Sequence, residues 1–365
     1  MIELKGKYNT ANVFTDNMEN GAVTQITNLL NQEFVKDSKI RIMPDAHAGA
    51  GCTIGTTMTI KNKVVPNLVG VDIGCGMETL ILENDFVELE KLDKTIHFNI
   101  PSGFSVRKTG HPLVSELNLD RLRCIKNVNI NRANLSLGTL GGGNHFIELN
   151  KDDEGTLYLV IHTGSRNLGK QAAEYYQKTA AQMLSGKITK ELAFVEGELF
   201  DDYIHDMEVI QHFAELNRKA IADEIVRHMK FKVKESFTTI HNYIELNSMI
   251  LRKGAISAKN GERVLIPINM RDGSLVCIGK GNPDWNYSAP HGAGRIMSRT
   301  AAKSTITLSQ FKKSMEGIYS STVNKSTIDE APFAYKPMEE ILSNIQDTVS
   351  VKKIIKPLYN FKAAE

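Results

Sequence analysis

The stretch Val69-Gly-Val-Asp-Ile-Gly-Cys-Gly-Met77 sets a carboxylate, Asp72, and a thiol, Cys75, three residues apart between glycines. A site that uses a hard carboxylate and a soft thiolate, completed by imidazoles, suits borderline divalent ions such as manganese, zinc or iron(II). Calcium and magnesium fit it less well. Gly70, Gly74 and Gly76 let the backbone turn sharply and approach a ligand closely. The preceding Val64 to Val71 reads as a buried strand that delivers the pair at its end. Taken alone, the pair reads more simply as a tight turn with a structural cysteine. The histidines elsewhere in the chain therefore decide the matter.

Two later stretches supply them. Leu137-Gly-Thr-Leu-Gly-Gly-Gly-Asn-His-Phe-Ile-Glu-Leu149 is a glycine run followed by a strand. Its backbone N–H groups could meet an anion, but it lacks the Lys-Ser/Thr ending of a Walker loop. Period-2 alternation places His145 with Ile147 on one face, and Asn144, Phe146 and Glu148 on the other. A flat aromatic beside an amide and a carboxylate can stack on a base and accept from its edge, as guanine would require; the same residues also fit a core Phe with a solvent-facing Glu. Leu157-Tyr-Leu-Val-Ile-His-Thr-Gly-Ser-Arg-Asn-Leu-Gly169 repeats the design, an apolar strand ending at His162, with Arg166 following as a phosphate fork or a surface arginine.

Upstream, Ile40 to Gly55 reads as a short strand opening into a small-residue loop that carries Asp45 and His47, the latter a residue that supports ligands from behind. Downstream, Tyr287-Ser-Ala-Pro-His-Gly-Ala-Gly-Arg-Ile-Met-Ser-Arg299 places His291 before Gly292, Ala293 and Gly294, with Arg295 and Arg299 one helical turn apart. An imidazole among small residues and followed by arginines suits a nucleophile meeting a phosphate, and equally a metal ligand. His97 and His111 stand outside any cluster. His205, His212 and His228 fall in a helical block from Lys170 to about Arg227, read as an insertion within one domain. A short helix is expected around Ala22 to Leu30, another near Leu89 to Leu92, and a third from Met338 to Val351 before a basic end with Lys356 and Lys362.

Composition removes several classes. The chain has 365 residues, 41% hydrophobic and 24% charged, with a net charge of +2, so any nucleic-acid substrate would need a local basic cleft. No run approaches the ~20 apolar residues of a membrane helix, and the N-terminus has no signal-peptide core, so a cytoplasmic protein with no membrane role is expected. Cys52, Cys75, Cys124 and Cys277 show no CxxC spacing, which argues against a zinc ribbon and a disulfide framework.

Together the motifs MPDAHAGAG, VGVDIGCGM, LGTLGGGNHFIEL, HTGSRNLG, HNYIE, RKGA and SAPHGAGR, in this order from about Ile40 to the end, are closely similar to those of the RtcB family of RNA ligases. The resemblance implies an α+β, RtcB-like fold, with mixed sheets around a metal-centred cleft and the helical insertion at about 170–230, in a single domain over 1–365. It implies GTP and two Mn²⁺ as cofactors, the metals held by Asp72, Cys75, His145, His162 and His241 with Cys75 as bridge. His291 would be the guanylated nucleophile. Asn144, Phe146, Glu148, Asn242, Gly292, Ala293, Gly294 and Lys362 would contact the nucleotide, and Arg166, Arg295 and Arg299 the RNA phosphates. The partner would be RNA with broken ends, the protein a monomer, with an archease-like activator as a further partner.

One departure stands out. Where the family has a Pro-Gly-Ser-Met-Gly loop, this chain has Pro267-Ile-Asn-Met-Arg-Asp-Gly273, which puts nucleotide handling and the preferred RNA ends in question. The competing readings are a metal-dependent phosphodiesterase or phosphatase acting on RNA ends without ligation, and an RNA-binding relative without catalysis.

Overall fold

The computed structural model describes residues 1–363 and folds them around two sheets. The larger has seven strands, in the order Val233–Ile240, Gly76–Leu82, Leu157–Thr163, Phe146–Lys151, Val349–Lys362, Gly273–Gly279 and Arg263–Asn269. The Leu157–Thr163 strand is buried at every residue, as a central strand covered on both faces must be. One face, with Leu159 and Ile161, packs on Ile221 and Ile225 of the long helix Glu198–Met229. The other faces inward, where Tyr158 and Val160 meet Leu265 and Val276 from the far edge. The sheet therefore curls. Its two edge strands approach closely, with the Leu265 N–H donating to Thr239 Oγ1 at 3.2 Å and Arg263 paired with Glu235 at 2.8 Å. Curling shields the edges that a flat sheet would leave open to pairing with other chains.

The second sheet has six strands, in the order Ile2–Lys5, Thr10–Val13, Ile40–His47, Ile54–Thr59, Ile250–Lys253 and Asn242–Glu245. The helix Asn20–Leu30 covers it through Ala22, Ile26, Leu29 and Leu30, the residues whose spacing predicts that helix. Only His241 separates the last strand of this sheet from the first of the other. The chain crosses between sheets there, and the functional residues gather at that seam.

The architecture is α+β, as expected, but three local expectations change. Val64 to Val71 is not a strand: only Lys63–Val64 is extended, and Pro66–Leu68 forms a short 3₁₀ turn. Proline has no N–H to give to a ladder and is at home in a first turn. Asp72 and Cys75 thus precede the strand Gly76–Leu82 instead of following one. The helix from Met338 stops at Asn344, and Val349–Lys362 is a 14-residue strand inside the large sheet. Its β-branched Val349, Val351, Ile354 and Ile355 suit a sheet better than a helix, and the register shift between Pro357 and Tyr359 accommodates the proline. Asp45 and His47 lie within the strand Ile40–His47, past a register irregularity after Ile42, and not in an open loop.

The helical block comprises Arg166–Met183 and Glu198–Met229. His212 and His228 are exposed on the second helix and His205 is half-buried. Among the described residues no helix is long and apolar enough to cross a membrane.

Candidate metal centre and nucleotide cleft

Register builds the first part of the site. Residues directly opposite in adjacent strands share a face and stand about 5 Å apart. His162 lies opposite Met77 on one side and Phe146 on the other, and Phe146 lies opposite Lys362. One row across the sheet therefore reads Met77, His162, Phe146, Lys362. Two residues along, Val160 is opposite Glu148, and Glu148 opposite Asn360. His145 immediately precedes the strand, and its ring reaches to 5.2 Å from that of His162. The alternation that separates it from Phe146 ends where the strand begins.

Around Cys75 two triads form. Cys75, His162 and His241 present ligand atoms within 4.8 Å of one another, as do Asp72, Cys75 and His145. Cys75 Sγ is 3.5 Å from His145 Nε2 and 3.3 Å from His162 Nε2, and His145 Nε2 is 3.0 Å from Asp72 Oδ2. The outer nitrogens are already used: His145 Nδ1 donates to the Leu140 carbonyl at 2.8 Å and His162 Nδ1 to that of Asn144 at 3.2 Å. Protons on Nδ1 leave the Nε2 lone pairs turned toward Cys75. His162 Nε2 and His241 Nε2 stand 3.4 Å apart, and neither neutral ring with a free Nε2 can donate to the other.

Electrostatics point the same way. Burial, reinforced by neighbouring imidazoles, holds His162 and His241 well below the usual histidine range, so both stay neutral as ligands must. In the metal-free site burial alone would raise the Asp72 carboxyl, but a proton shared with His145 Nε2, with Arg166 and the Ser165 N–H, brings it to about 2, and a cation on that nitrogen would supply the same positive charge. Burial and the nearby Asp72 push the Cys75 thiol well above its ordinary value. A thiolate in that position calls for bound cations to offset its charge. The residues present fit two borderline divalent cations sharing Cys75.

Backbone anchors hold the ligands. A Cβ on Gly164 would lie 2.3 Å from Asp72 Oδ1 and displace that carboxylate, which also accepts from Ser165 N at 2.9 Å. His241 N donates to the Cys75 carbonyl at 2.9 Å across the seam. Asn217 and Arg218, both buried on the long helix, join the remaining segments. Asn217 accepts from the N–H groups of Gly138 and Thr139 and donates to the carbonyls of Thr139 and Gly164 and to Thr163 Oγ1. Arg218 Nη1 donates to the carbonyls of Gly74 and Thr163. Neither was picked out by sequence reasoning, because a polar pair inside a helical pattern gives no sign of what it faces. Asn217→Ala leaves the buried N–H groups of Gly138 and Thr139 without their acceptor and the carbonyls of Thr139 and Gly164 without this donor, and urea denaturation of the metal-free protein should show a loss of about 3 kcal/mol.

The nucleophile candidate is set by the second sheet. His291 follows Ser288–Pro290, which pairs with Ala255–Ser257, and the Ala255 N–H donates to the His241 carbonyl. The His291 and His241 rings are consequently 4.9 Å apart. His291 Nδ1 meets Asp45 Oδ2 at 2.6 Å, and the His291 backbone N–H donates to the same oxygen at 3.2 Å. Asp45 is fully buried, so its carboxylate acts on His291 and not on solvent. Gly294 seals the contact with φ 75°, where a Cβ would be 2.2 Å from the Asp45 carbonyl oxygen. Sequence reasoning named Asp45 but gave it no role; no local signal links it to His291.

Beside His291 opens a cleft of about 700 Å³ lined by Asn144, Phe146, Glu148, Gly292, Ala293, Gly294 and Lys362. Lys362 Nζ stands 5.0 Å from the Phe146 ring centroid and is bonded to Glu330 at 2.9 Å and the Asn144 carbonyl at 3.1 Å. Burial raises the Glu148 carboxyl to about 7, against the lowering influence of Lys362, Asn150 and Asn360. Arg295 and Arg299 also line the cleft and pair with Glu330, at 3.2 and 2.8 Å. Burial would raise Glu330, but Lys362 and Arg299, with Tyr335 and Arg295, bring it to about 2. Arg295 spends its remaining donors on the Met297 and Asp329 carbonyls and Tyr335 OH. Glu330 as the hub of three cations was not legible in the sequence.

Two expected residues stand apart from the cleft. Asn242 donates to the Asp72 carbonyl at 3.2 Å and accepts from Gly254 N at 2.9 Å, supporting the metal side. Arg166 lies beyond Asp72, bonded to Thr139 Oγ1 and the Gly103 carbonyl. His47, with Nδ1 on the Asp45 carbonyl at 3.0 Å, lines the cleft. The altered Pro267 to Gly273 segment is a tight hairpin whose Asn269 Oδ1 accepts from the N–H groups of Arg271 and Asp272. Pro267, Ile268, Asn269 and Met270 form one wall of the cleft.

The chain is similar to known proteins over most of its length. A family model described as tRNA-splicing ligase RtcB matches residues 25–125 and 115–363. The RNA-splicing ligase RtcB of Escherichia coli (strain K12) is 32% identical over 378 residues, covering 92% of this chain and 92% of that protein. The tRNA-splicing ligase RtcB of Aeropyrum pernix is 28% identical, covering 86% of this chain and 85% of its own length. That of Archaeoglobus fulgidus is 26% identical, with 93% and 89% covered.

Proposed function

The chain belongs to the RtcB family, and from that premise we propose that it joins RNA 3′-phosphate or 2′,3′-cyclic-phosphate ends to 5′-hydroxyl ends, using GTP, two Mn²⁺ and GMP carried covalently on His291. One observation carries the reading: His291, gripped by Asp45, stands 4.9 Å ring to ring from His241 of a Cys75 triad, at the mouth of a base-sized cleft.

Each residue has a part. The face of Phe146 stacks on the guanine, and Glu148 accepts from its N1–H and N2 donors. Asp45 holds the proton on His291 Nδ1, which leaves the Nε2 lone pair for the α-phosphorus. The Nε2–P bond forms, the bond to the β-phosphate oxygen breaks, and pyrophosphate departs. Asp45 then offsets the positive charge on the substituted imidazole. An oxygen of the RNA 3′-phosphate next attacks the GMP phosphorus and frees His291. The 5′-hydroxyl, giving up its proton to water, attacks the activated RNA phosphorus, forming the phosphodiester and expelling GMP. A cyclic phosphate is first opened by water. Divalent ions supply charge neutralisation at the phosphates and a more acidic water for that opening.

Incubation of the purified protein with Mn²⁺ and α-labelled GTP should give an acid-labile protein–GMP adduct that RNA ends then discharge. Absence of the adduct would sink the ligase reading. Hydrolysis of RNA ends alone would require the Cys75 triads but not His291, and is the outcome that would replace it.

A further inference from the structure

The metal centre has two approaches. On one side lies the cleft with His162 and His291. Outside the lining of that cleft, the Asp72 side chain is 27% exposed, and Val71 beside it 47%. The residues bordering this second approach form a continuous chain of contacts. Ser165 donates to Asp72, Arg166 follows Ser165, and Arg166 Nη2 donates to the Gly103 carbonyl at 3.0 Å. Phe104 comes next, with 84% of its surface exposed.

That exposure is not the looseness of a free loop. The Gly103 N–H donates to the Gly141 carbonyl at 2.8 Å, and Leu140 N to the Pro101 carbonyl at 2.9 Å. Arg132 Nη2 holds the Phe104 carbonyl itself at 2.9 Å. The turn is thus pinned to the glycine run whose Leu140 carbonyl also orients the metal ligand His145. A phenyl ring left in water forgoes the favourable burial of its apolar surface. Here that ring stands on a fixed support between Arg132 and Arg166.

We infer that Phe104 is a stacking platform for a base of single-stranded RNA beside the broken end, on the open side of the metal centre. An aromatic ring stacks on any base, while the flanking guanidinium groups answer the phosphates. The placement separates two tasks, with the nucleotide held in the cleft and the RNA strand laid over Asp72 from the other side. It rests on the ligase reading and deepens it.

The probe is a fluorescently labelled single-stranded RNA with a 3′-phosphate, bound to the Mn²⁺-loaded protein without GTP. F104A should raise the Kd about tenfold at every salt concentration, because losing a stacked base changes affinity and not the number of phosphates neutralised. F104W should bind at least as tightly as the parent, with its added indole emission quenched by RNA. The native Trp285 is buried against Phe14 and serves as the blank. GMP-adduct formation should be equal in F104A and the parent, since Phe104 is not among the residues that line the nucleotide cleft. Unchanged RNA affinity in F104A, a changed salt slope, an unquenched F104W, or a parallel loss of the GMP adduct would each overturn the assignment. If the parent binds RNA through Phe104 yet never forms an adduct with GTP, it is the ligase reading that fails and the stacking site that stands.

Discussion

Replacing His291 with alanine is expected to abolish the protein–GMP adduct and lower RNA joining at least about 10⁴-fold, as loss of a covalent nucleophile does. The protein should still fold, because the His291 side chain sits at a cleft wall and is 16% exposed, unlike the core beneath it. Asp45→Asn separates the nucleophile from its support. A carboxylate can only accept, so it keeps the proton on His291 Nδ1 and the lone pair on Nε2. An amide can present its N–H₂ to Nδ1 instead, which favours the tautomer with the proton on the attacking nitrogen. Guanylation should slow by up to about 10⁴-fold, the loss seen when a triad carboxylate is changed to its amide. Rapid-quench measurement of adduct formation checks both variants. An adduct of parental yield in His291→Ala would reassign the nucleophile.

Replacing Cys75 with alanine should have the broadest effect. Altering groups that merely orient metal ligands costs 10–100-fold in affinity. Cys75 belongs to both triads, so its loss should weaken both metal positions by more than about 100-fold. Guanylation, end opening and joining should disappear together. Equilibrium dialysis with Mn²⁺ reads this without reference to activity. The parent should retain two ions per chain and the variant neither. Removing the thiol also removes a group that burial holds in its neutral form. The metal-free variant should therefore be no less stable than the metal-free parent beyond the ~1 kcal/mol of a small buried cavity. Retention of one ion at parental affinity would show that Cys75 serves a single position.

Much of the centre was legible because its residues announce themselves locally. Asp72 and Cys75 sit between glycines, His162 ends an apolar run, and His145 follows a glycine run. Each is a side chain with few structural uses in such a setting. The face shared by Phe146 and Glu148 was legible too, since strand alternation is a local rule, and both line the cleft. It failed for His145, which lies one residue outside the strand. Read locally, the C-terminal stretch is a basic end, yet Lys362 is buried in a central strand and bonded to Glu330. A strand's neighbours lie far off in the sequence, so nothing nearby indicates whether its lysines face water or an acid.

By itself the sequence determined which chemistries the chain owns: a carboxylate and thiol with backbone freedom, imidazoles at strand ends, and an imidazole among small residues before two arginines. These are properties of a residue and its immediate neighbours. Tertiary structure alone decided which of them meet. Asp45 reaches His291 across 246 positions, because the six-stranded sheet carries one and the short pair Ala255–Ser257 and Ser288–Pro290 carries the other. His241 joins His162 because it alone separates Val233–Ile240 of one sheet from Asn242–Glu245 of the other. Asn217 and Arg218 tie the ligand loops together because the long helix lies across the back of the large sheet. Such contacts follow from strand register and helix packing, which depend on the whole chain being folded.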